Sequence, residues 1–156
     1  MLNDRCAGIH GNYDSRSGQP LEAGRDQGHV QSGLAWTAEG ARVIKNQGGD
    51  LFGFDNNLLL RAAEYTAKYN LNNTVDYDPK IFRCEAVLVG GPWSQISTAN
   101  RGIGVPAWDI IYYEYVSSRK LTAPWTVKAK AIRGFEGAPT SNIDDLPGWG
   151  ELIWAR

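Results

Sequence analysis

A chain of 156 residues with 42% hydrophobic and 21% charged side chains is long enough for one domain with a core and too short to expect two. That composition excludes disorder and a simple coiled coil. Sixteen Lys and Arg against seventeen Asp and Glu give a formal charge of -1, so no global field draws the chain to nucleic acid or an anionic membrane, and an anionic ligand needs a local basic site.

Residues 1–24 are rich in Gly, Ser, Asp and Asn and read as ordered loop, with no helix of useful length. Over 25–46, Val30, Leu34, Ala38, Ala41 and Val43 or Ile44 recur at helical spacing, and Gln47-Gly48-Gly49-Asp50 supplies a stop. Asp55 is a candidate N-cap for a second helix over 55–70, striped by Leu58, Ala62, Tyr65 and Tyr69. The short connection predicts an antiparallel pair. Residues 71–104 are dense in Gly and Pro and read as long loop, with one apolar run, Ala86 to Val89, that fits a short strand. Pro106 suits the first turn of a helix over 106–119, in which Trp108, Ile111, Tyr112 and Tyr115 share a face. A fourth helix is expected over 124–133, with Pro124 at its first position and Gly134 beyond its end. The rest reads as loop, apart from an ELIWA segment that adds a strand or packs on the core. The fold class is therefore mostly α, built of helical hairpins in an α/α arrangement with long loops.

The apolar stretches fall short of the roughly 20 residues needed to cross a bilayer, and MLNDRCAGIHG has no apolar signal core. A soluble chain without an export signal is expected. Cys6 and Cys84 are free thiols or one disulfide, which spacing does not decide. With no CxxC and only His10 and His29 as histidines, no metal site or cofactor is expected. Asn72-Asn73-Thr74 is a glycosylation sequon that matters only in an exported chain.

The densest polar cluster is Leu21-Glu22-Ala23-Gly24-Arg25-Asp26-Gln27-Gly28-His29. If helical, Arg25 and His29 lie one turn apart on one face, which Ser32, Gly33 and Trp36 continue. Two readings follow. In the structural one, Glu22 and Asp26 complement a helix N-terminus, Arg25 makes a surface ion pair and His29 joins a polar network. In the functional one, Arg25 pairs with a substrate carboxylate and His29 moves a proton or neutralises charge. The Gly-rich segment could bring His10 and Tyr13 to the same place.

Several strings together resemble the alginate-lyase-like polysaccharide lyases of α/α toroid fold. They are His10-Gly11-Asn12-Tyr13, Glu22 through His29, Asn46-Gln47-Gly48, Glu64-Tyr65-Thr66-Ala67-Lys68-Tyr69-Asn70, Gln95 through Gly102 and Pro106 through Tyr112. The similarity extends over nearly the whole chain. Members are about twice this long, so the resemblance implies the C-terminal portion of such a lyase and an incomplete toroid. It also implies an extracellular setting and an acidic polysaccharide as partner.

The implied chemistry is β-elimination on a uronic-acid polymer such as alginate or glucuronan. The carboxylate is neutralised, C5 loses its proton and the C4 oxygen departs. On this reading the catalytic candidates are Arg25 for the carboxylate, His29 and Tyr13 for proton transfer and His10 for neutralisation. Sugar rings stack on aromatic planes. Trp36, Trp93, Arg101 and Gln27 are the candidate substrate contacts, while Trp108 shares a stripe with Tyr112 that fits a core. An alternative is a non-catalytic fragment that holds an acidic glycan without cleaving it. A third is a structural or interaction fragment whose exposed helix faces pack on other helices.

Overall fold

A computed structural model describes residues 8–81, 93–134, 136–137, 146 and 148–155. These residues are mostly helical and, among them, no strand occurs. The elements are α1 (Ile9–Asn12), a 3-10 turn (Leu21–Gly24), α2 (Gln27–Asn46), α3 (Phe54–Asn70), α4 (Trp108–Ile111), a π-helical continuation (Tyr112–Ser118), α5 (Pro124–Arg133) and α6 (Gly150–Trp154). The ELIWA segment thus supplies most of a short helix rather than a strand, and its Trp154 packs against the core. Cys6, Cys84 and the run from Ala86 to Val89 lie outside the described residues. No helix among the described residues is long and apolar enough to cross a membrane.

The helix expected over 25–46 starts two residues later, and the reason is Asp26. Its extended backbone, φ -168°, makes it the N-cap, and its carboxylate accepts from the His29 N–H at 2.9 Å. Arg25 therefore sits before α2, closing the 3-10 turn. The expected cap at Asp55 is also revised: Gly53 occupies that position. Asp55, Asn56 and Asn57 instead form a left-handed turn with φ of 45°, 52° and 60°, a conformation Asn and Asp tolerate best among side-chain-bearing residues. The Arg61 guanidinium holds this turn by donating to the carbonyls of Asp55 and Asn56, each at 3.1 Å.

Packing follows the predicted stripe of α2 and, on α3, Leu58 and Ala62 of the predicted one, while Tyr65 and Tyr69 stand outside the cluster. Leu34, Ala38 and Ala41 of α2 meet Leu58, Leu59, Ala62, Ala63 and Ala67 of α3 in one core with Trp108, Ile111, Tyr115 and Ala129. A fully buried Leu or Ile at such a position contributes roughly 2 to 3 kcal/mol. The pair is antiparallel, because Asn70 at the end of α3 donates to Gln27 Oε1 at the start of α2 and accepts from Gln31. α5 packs chiefly on α3, and Glu64 of α3 accepts from the first free N–H groups of α5, Trp125 at 3.1 Å and Thr126 at 2.8 Å. Pro124 stands at the first position as expected.

Trp108, not Pro106, opens the third long helix, since a buried Glu136 side chain accepts from the Trp108 and Asp109 N–H groups. The helix then widens into π geometry around Glu114. This carboxylate has no exposed surface and is held by Lys45 and Arg119 at 2.8 Å and by Arg42 at 3.4 Å. Burial pushes Glu114 up, but the hydrogen bonds from Lys45 and Arg119 outweigh it and hold the carboxyl below its usual range.

Candidate functional site

The chemistry-bearing residues of the N-terminal third fall into three environments. The first is the start of α2. There the Asp26 carboxylate receives His29 Nδ1 at 2.6 Å and has Arg25 Nε at 3.9 Å. Arg25 and His29 are thus brought together, around Asp26 rather than along one helix face. His29 keeps 46% of its side chain exposed, and its Nε2 has no hydrogen-bond partner among the described residues. A carboxylate on Nδ1 fixes the ring and turns Nε2 outward, the arrangement of a poised proton acceptor. Burial raises Asp26, but the hydrogen bonds and charge of His29, with a hydrogen bond from Asn100, bring it below its usual value, so it stays anionic. The structural reading of this cluster is also present: Arg25 Nη1 pairs with Glu22 at 2.7 Å, and Asp26 caps the helix.

The second environment is the core under α2. Tyr13 is 4% exposed, and its hydroxyl donates to the Gly33 carbonyl at 3.1 Å and lies 2.9 Å from Thr37 Oγ1. Burial raises this phenol well above its ordinary value. Tyr13 is a packing residue that pins the entry loop to α2, which corrects its assignment as a proton-transfer group. Gln27 is corrected in the same way. It is 1% exposed, and its amide donates to the carbonyls of Ala23 and Ser97 at 3.2 and 3.1 Å, so it ties loop to helix and faces no ligand.

The third environment holds His10, which bonds Asp55 Oδ2 at 3.0 Å and leans on Phe54 at 5.2 Å between ring centroids. It lines a small cavity of about 180 Å³ with Tyr13, Leu21 and Ile81. Asp55 begins α3, whereas Gln27, two residues from His29, is bonded to Asn70 at the end of α3. The helical rise from Leu58 to Asn70 alone is roughly 18 Å. His10 and His29 therefore stand at opposite ends of the α2/α3 pair, and the expected convergence of the two histidines does not occur.

Beside the Asp26–His29 pair lies a groove of about 790 Å³ lined by Gly24, Tyr69, Thr74, Trp93, Arg101 and the segment 94–99. Gly24 is required here, since a Cβ on it would stand 2.3 Å from Trp93 Cβ and 2.6 Å from the Tyr77 hydroxyl. Tyr77 in turn donates to the Trp93 carbonyl at 3.0 Å. The two loop candidates named from the sequence, Trp93 and Arg101, share this groove. Arg101 stacks on the Tyr69 ring at 3.9 Å and donates to the carbonyls of Tyr69 and Asn73 at 2.8 and 2.9 Å.

Arg16, Arg25, Arg42, Arg61 and Arg119 each pair with a carboxylate. Arg101 and Arg133 have no carboxylate partner among the described residues. Arg101 is thus a fixed, orientated guanidinium with donors left for an anion. The groove and the Asp26–His29 pair are joined by the segment 98–101, because the Gln27 N–H donates to the Ala99 carbonyl at 2.9 Å and the Asn100 side chain reaches Asp26.

Trp36 lies farther along α2 and is 47% exposed, whereas Trp108 is 1% exposed and belongs to the core. Arg133, at the end of α5, was given no role by the sequence. Its only signal there is its place in the last turn before Gly134. Among the described residues no group of His, Cys, Asp and Glu suited to a metal ion occurs. Compared with known proteins, the chain matches no family model, no curated protein and no solved structure.

Proposed function

We propose that the chain binds a uronic-acid-containing polysaccharide of the alginate or glucuronan type in the groove and cleaves it by β-elimination. The observation that carries this reading is the Asp26–His29 pair, with an outward Nε2, joined through the segment 98–101 to a groove whose Arg101 guanidinium has no carboxylate partner among the described residues. Arg101, with Arg25 at the rim, neutralises the sugar carboxylate and so stabilises the enolate-like transition state, an effect that can contribute about 3 kcal/mol per donor. His29 Nε2 takes the C5 proton. The C5–H electron pair becomes the C4=C5 double bond, the C4–O bond breaks, and the departing oxygen takes a proton from water and leaves as a hydroxyl, while the proton on His29 passes to solvent. Trp93 offers an aromatic plane to a sugar ring. On the same reading the helical hairpins form part of an α/α toroid, and the protein works outside the cell, where such polymers occur.

A second reading, binding without cleavage, is favoured by two observations: the phenol expected to transfer a proton is buried, and Arg25 already holds Glu22. The test is incubation with a panel of polyuronates and their carboxyl-reduced counterparts, followed by ultraviolet absorbance of the unsaturated product. The lyase reading expects product from a polyuronate and none from its reduced form. Saturable binding without product selects the second reading, and neither binding nor product refutes both.

A further inference from the structure

The short stretch of chain between the groove and the Asp26–His29 pair is tied down residue by residue. The Arg101 N–H closes on the Thr98 carbonyl at 3.1 Å, and the Ile103 N–H on the Asn100 carbonyl at 3.3 Å. The Ala99 carbonyl accepts from the Gln27 N–H at 2.9 Å, while the Gly102 N–H donates to Asn70 Oδ1 at 2.9 Å. Arg101 itself holds the carbonyls of Tyr69 and Asn73. The turn over 98–102 is thus fixed both to the start of α2 and to the end of α3.

Asn100 is the residue of this turn that reaches the pair. Its backbone stands in the left-handed region, φ 57°, which Asn tolerates better than most side-chain-bearing residues. Its Nδ2 lies 3.5 Å from the point that a Cβ on Gly28 would occupy, and Asp26 Oδ1 lies 3.1 Å from the same point. Gly28, having no Cβ, leaves the space in which the two side chains meet, and the Asn100 side chain hydrogen-bonds the Asp26 carboxylate.

Three donors therefore converge on this carboxylate: the His29 N–H at 2.9 Å, His29 Nδ1 at 2.6 Å and the Asn100 amide. The bond from the His29 N–H makes Asp26 a helix cap, but a cap bond to one oxygen leaves the carboxylate plane soft about the Cβ–Cγ bond. A donor arriving from outside the helix restricts that rotation. With the plane set, Oδ2 stays opposite Nδ1, which keeps the proton on Nδ1 and leaves the Nε2 lone pair outward.

We propose that Asn100 is a positioning residue of the elimination site. From its left-handed turn it locks the Asp26 carboxylate in the plane that holds His29 in the Nδ1–H tautomer, and it does so from the same fixed turn that carries Arg101. Proton acceptor and carboxylate anchor are thereby attached to one rigid piece of chain. This rests on the groove and the Asp26–His29 pair acting as a lyase site.

The experiment separates the amide from the backbone. Asn100→Gly keeps the left-handed conformation at no steric cost and removes the amide. Asp26→Asn still caps α2 without the charge, and marks the signal of a broken pair. Circular dichroism confirms parental helix content in both. The first readout is imidazole nitrogen NMR of the intact free protein at alkaline pH, which distinguishes the two tautomers of a neutral ring. The chain has two histidines, and His10→Gln assigns them. The parent His29 is expected in the Nδ1–H form and that of Asp26→Asn largely in the Nε2–H form. In Asn100→Gly the ratio of Nδ1–H to Nε2–H falls roughly tenfold. The second readout is steady-state turnover of a polyuronate, in which Asn100→Gly lowers kcat roughly tenfold with KM little changed. A parental tautomer ratio in either variant, or a lowered ratio with parental kcat, overturns the proposal and leaves the lyase reading standing on product formation. A parent that forms no unsaturated product from any polyuronate overturns the lyase reading, and with it the part of Asn100 in the reaction, whatever the tautomer ratios.

Discussion

Glu136→Gln should change how stability depends on pH. The Glu136 side chain is 9% exposed, accepts from the N–H groups of Trp108 and Asp109 at 2.7 and 3.2 Å, and shares its surroundings with fully buried Asp109, itself paired to Lys130. Burial, reinforced by the Asp109 charge, pushes Glu136 up from 4.5 to about 7. A carboxyl whose folded pKa is raised binds its proton more tightly when folded. Its contribution is therefore fully present below about pH 4.5 and is lost as pH rises through about 7. At about 1.4 kcal/mol per pKa unit, the loss across that window is roughly 3 kcal/mol.

Glutamine keeps a carbonyl for the two N–H groups and carries no charge at any pH. Urea unfolding at half-unit steps from pH 5 to 8 should show parental stability falling by up to roughly 3 kcal/mol more than that of the variant. At pH 8 the variant should be the more stable of the two. Other titrating groups, including Glu39, affect both proteins alike, so the difference between the curves isolates Glu136. Parallel curves would refute the reasoning.

Leu34→Ala, at a fully buried position, should cost about 2 to 5 kcal/mol in thermal or urea unfolding, and a loss under about 1 kcal/mol would contradict the packing described. Glu114→Ala leaves Lys45 and Arg119 without their buried carboxylate and should destabilise by about 3 to 5 kcal/mol. Tyr13→Phe removes a buried hydroxyl that bonds Gly33 and Thr37. It should cost about 1 to 3 kcal/mol of stability and leave turnover of a polyuronate unchanged, whereas abolished turnover in a folded variant would return Tyr13 to the chemistry. Gly24→Ala forces a Cβ onto Trp93 and Tyr77. It should weaken polyuronate binding while the helical dichroism persists.

Helical periodicity made α2, α3 and α5 legible, because their burial is one-sided and the 3.6-residue stripe records it. The bounds of α5 agree with the sequence since Pro124 and Gly134 act locally. The starts of the other long helices were misplaced where a distant or unusual group decides them. Glu136 caps the helix at Trp108 from 28 residues away, and the left-handed turn at Asp55 is held by Arg61. Helix over Tyr112–Ser118 was legible in the stripe that includes Tyr112 and Tyr115, but its π winding, which surrounds the Glu114 carboxylate held by Arg42 and Lys45 of α2, left no mark in that spacing.

At the site, the role of Asp26 at a helix N-terminus was readable, and so were Trp93 and Arg101 as loop candidates, but the sequence set His29 with Arg25 on one face and not with Asp26. The separation of His10 from His29 was not legible, since it depends on which end of an antiparallel pair the entry loop reaches. Arg133 was invisible for a related reason. A basic residue in the last turn of a helix ordinarily serves the helix end, and only tertiary contact shows that among the described residues it has no carboxylate partner.

The central claim is that His29 moves the proton while Arg101 holds the carboxylate, and steady-state kinetics of His29→Ala and Arg101→Gln on one polyuronate tests it most directly. His29→Ala should lower kcat by about 10²- to 10⁴-fold with KM little changed. Arg101→Gln should lower kcat/KM with a raised KM, because the anchored carboxylate binds in both ground and transition state. A His29→Ala protein that forms unsaturated product at the parental rate would contradict the account.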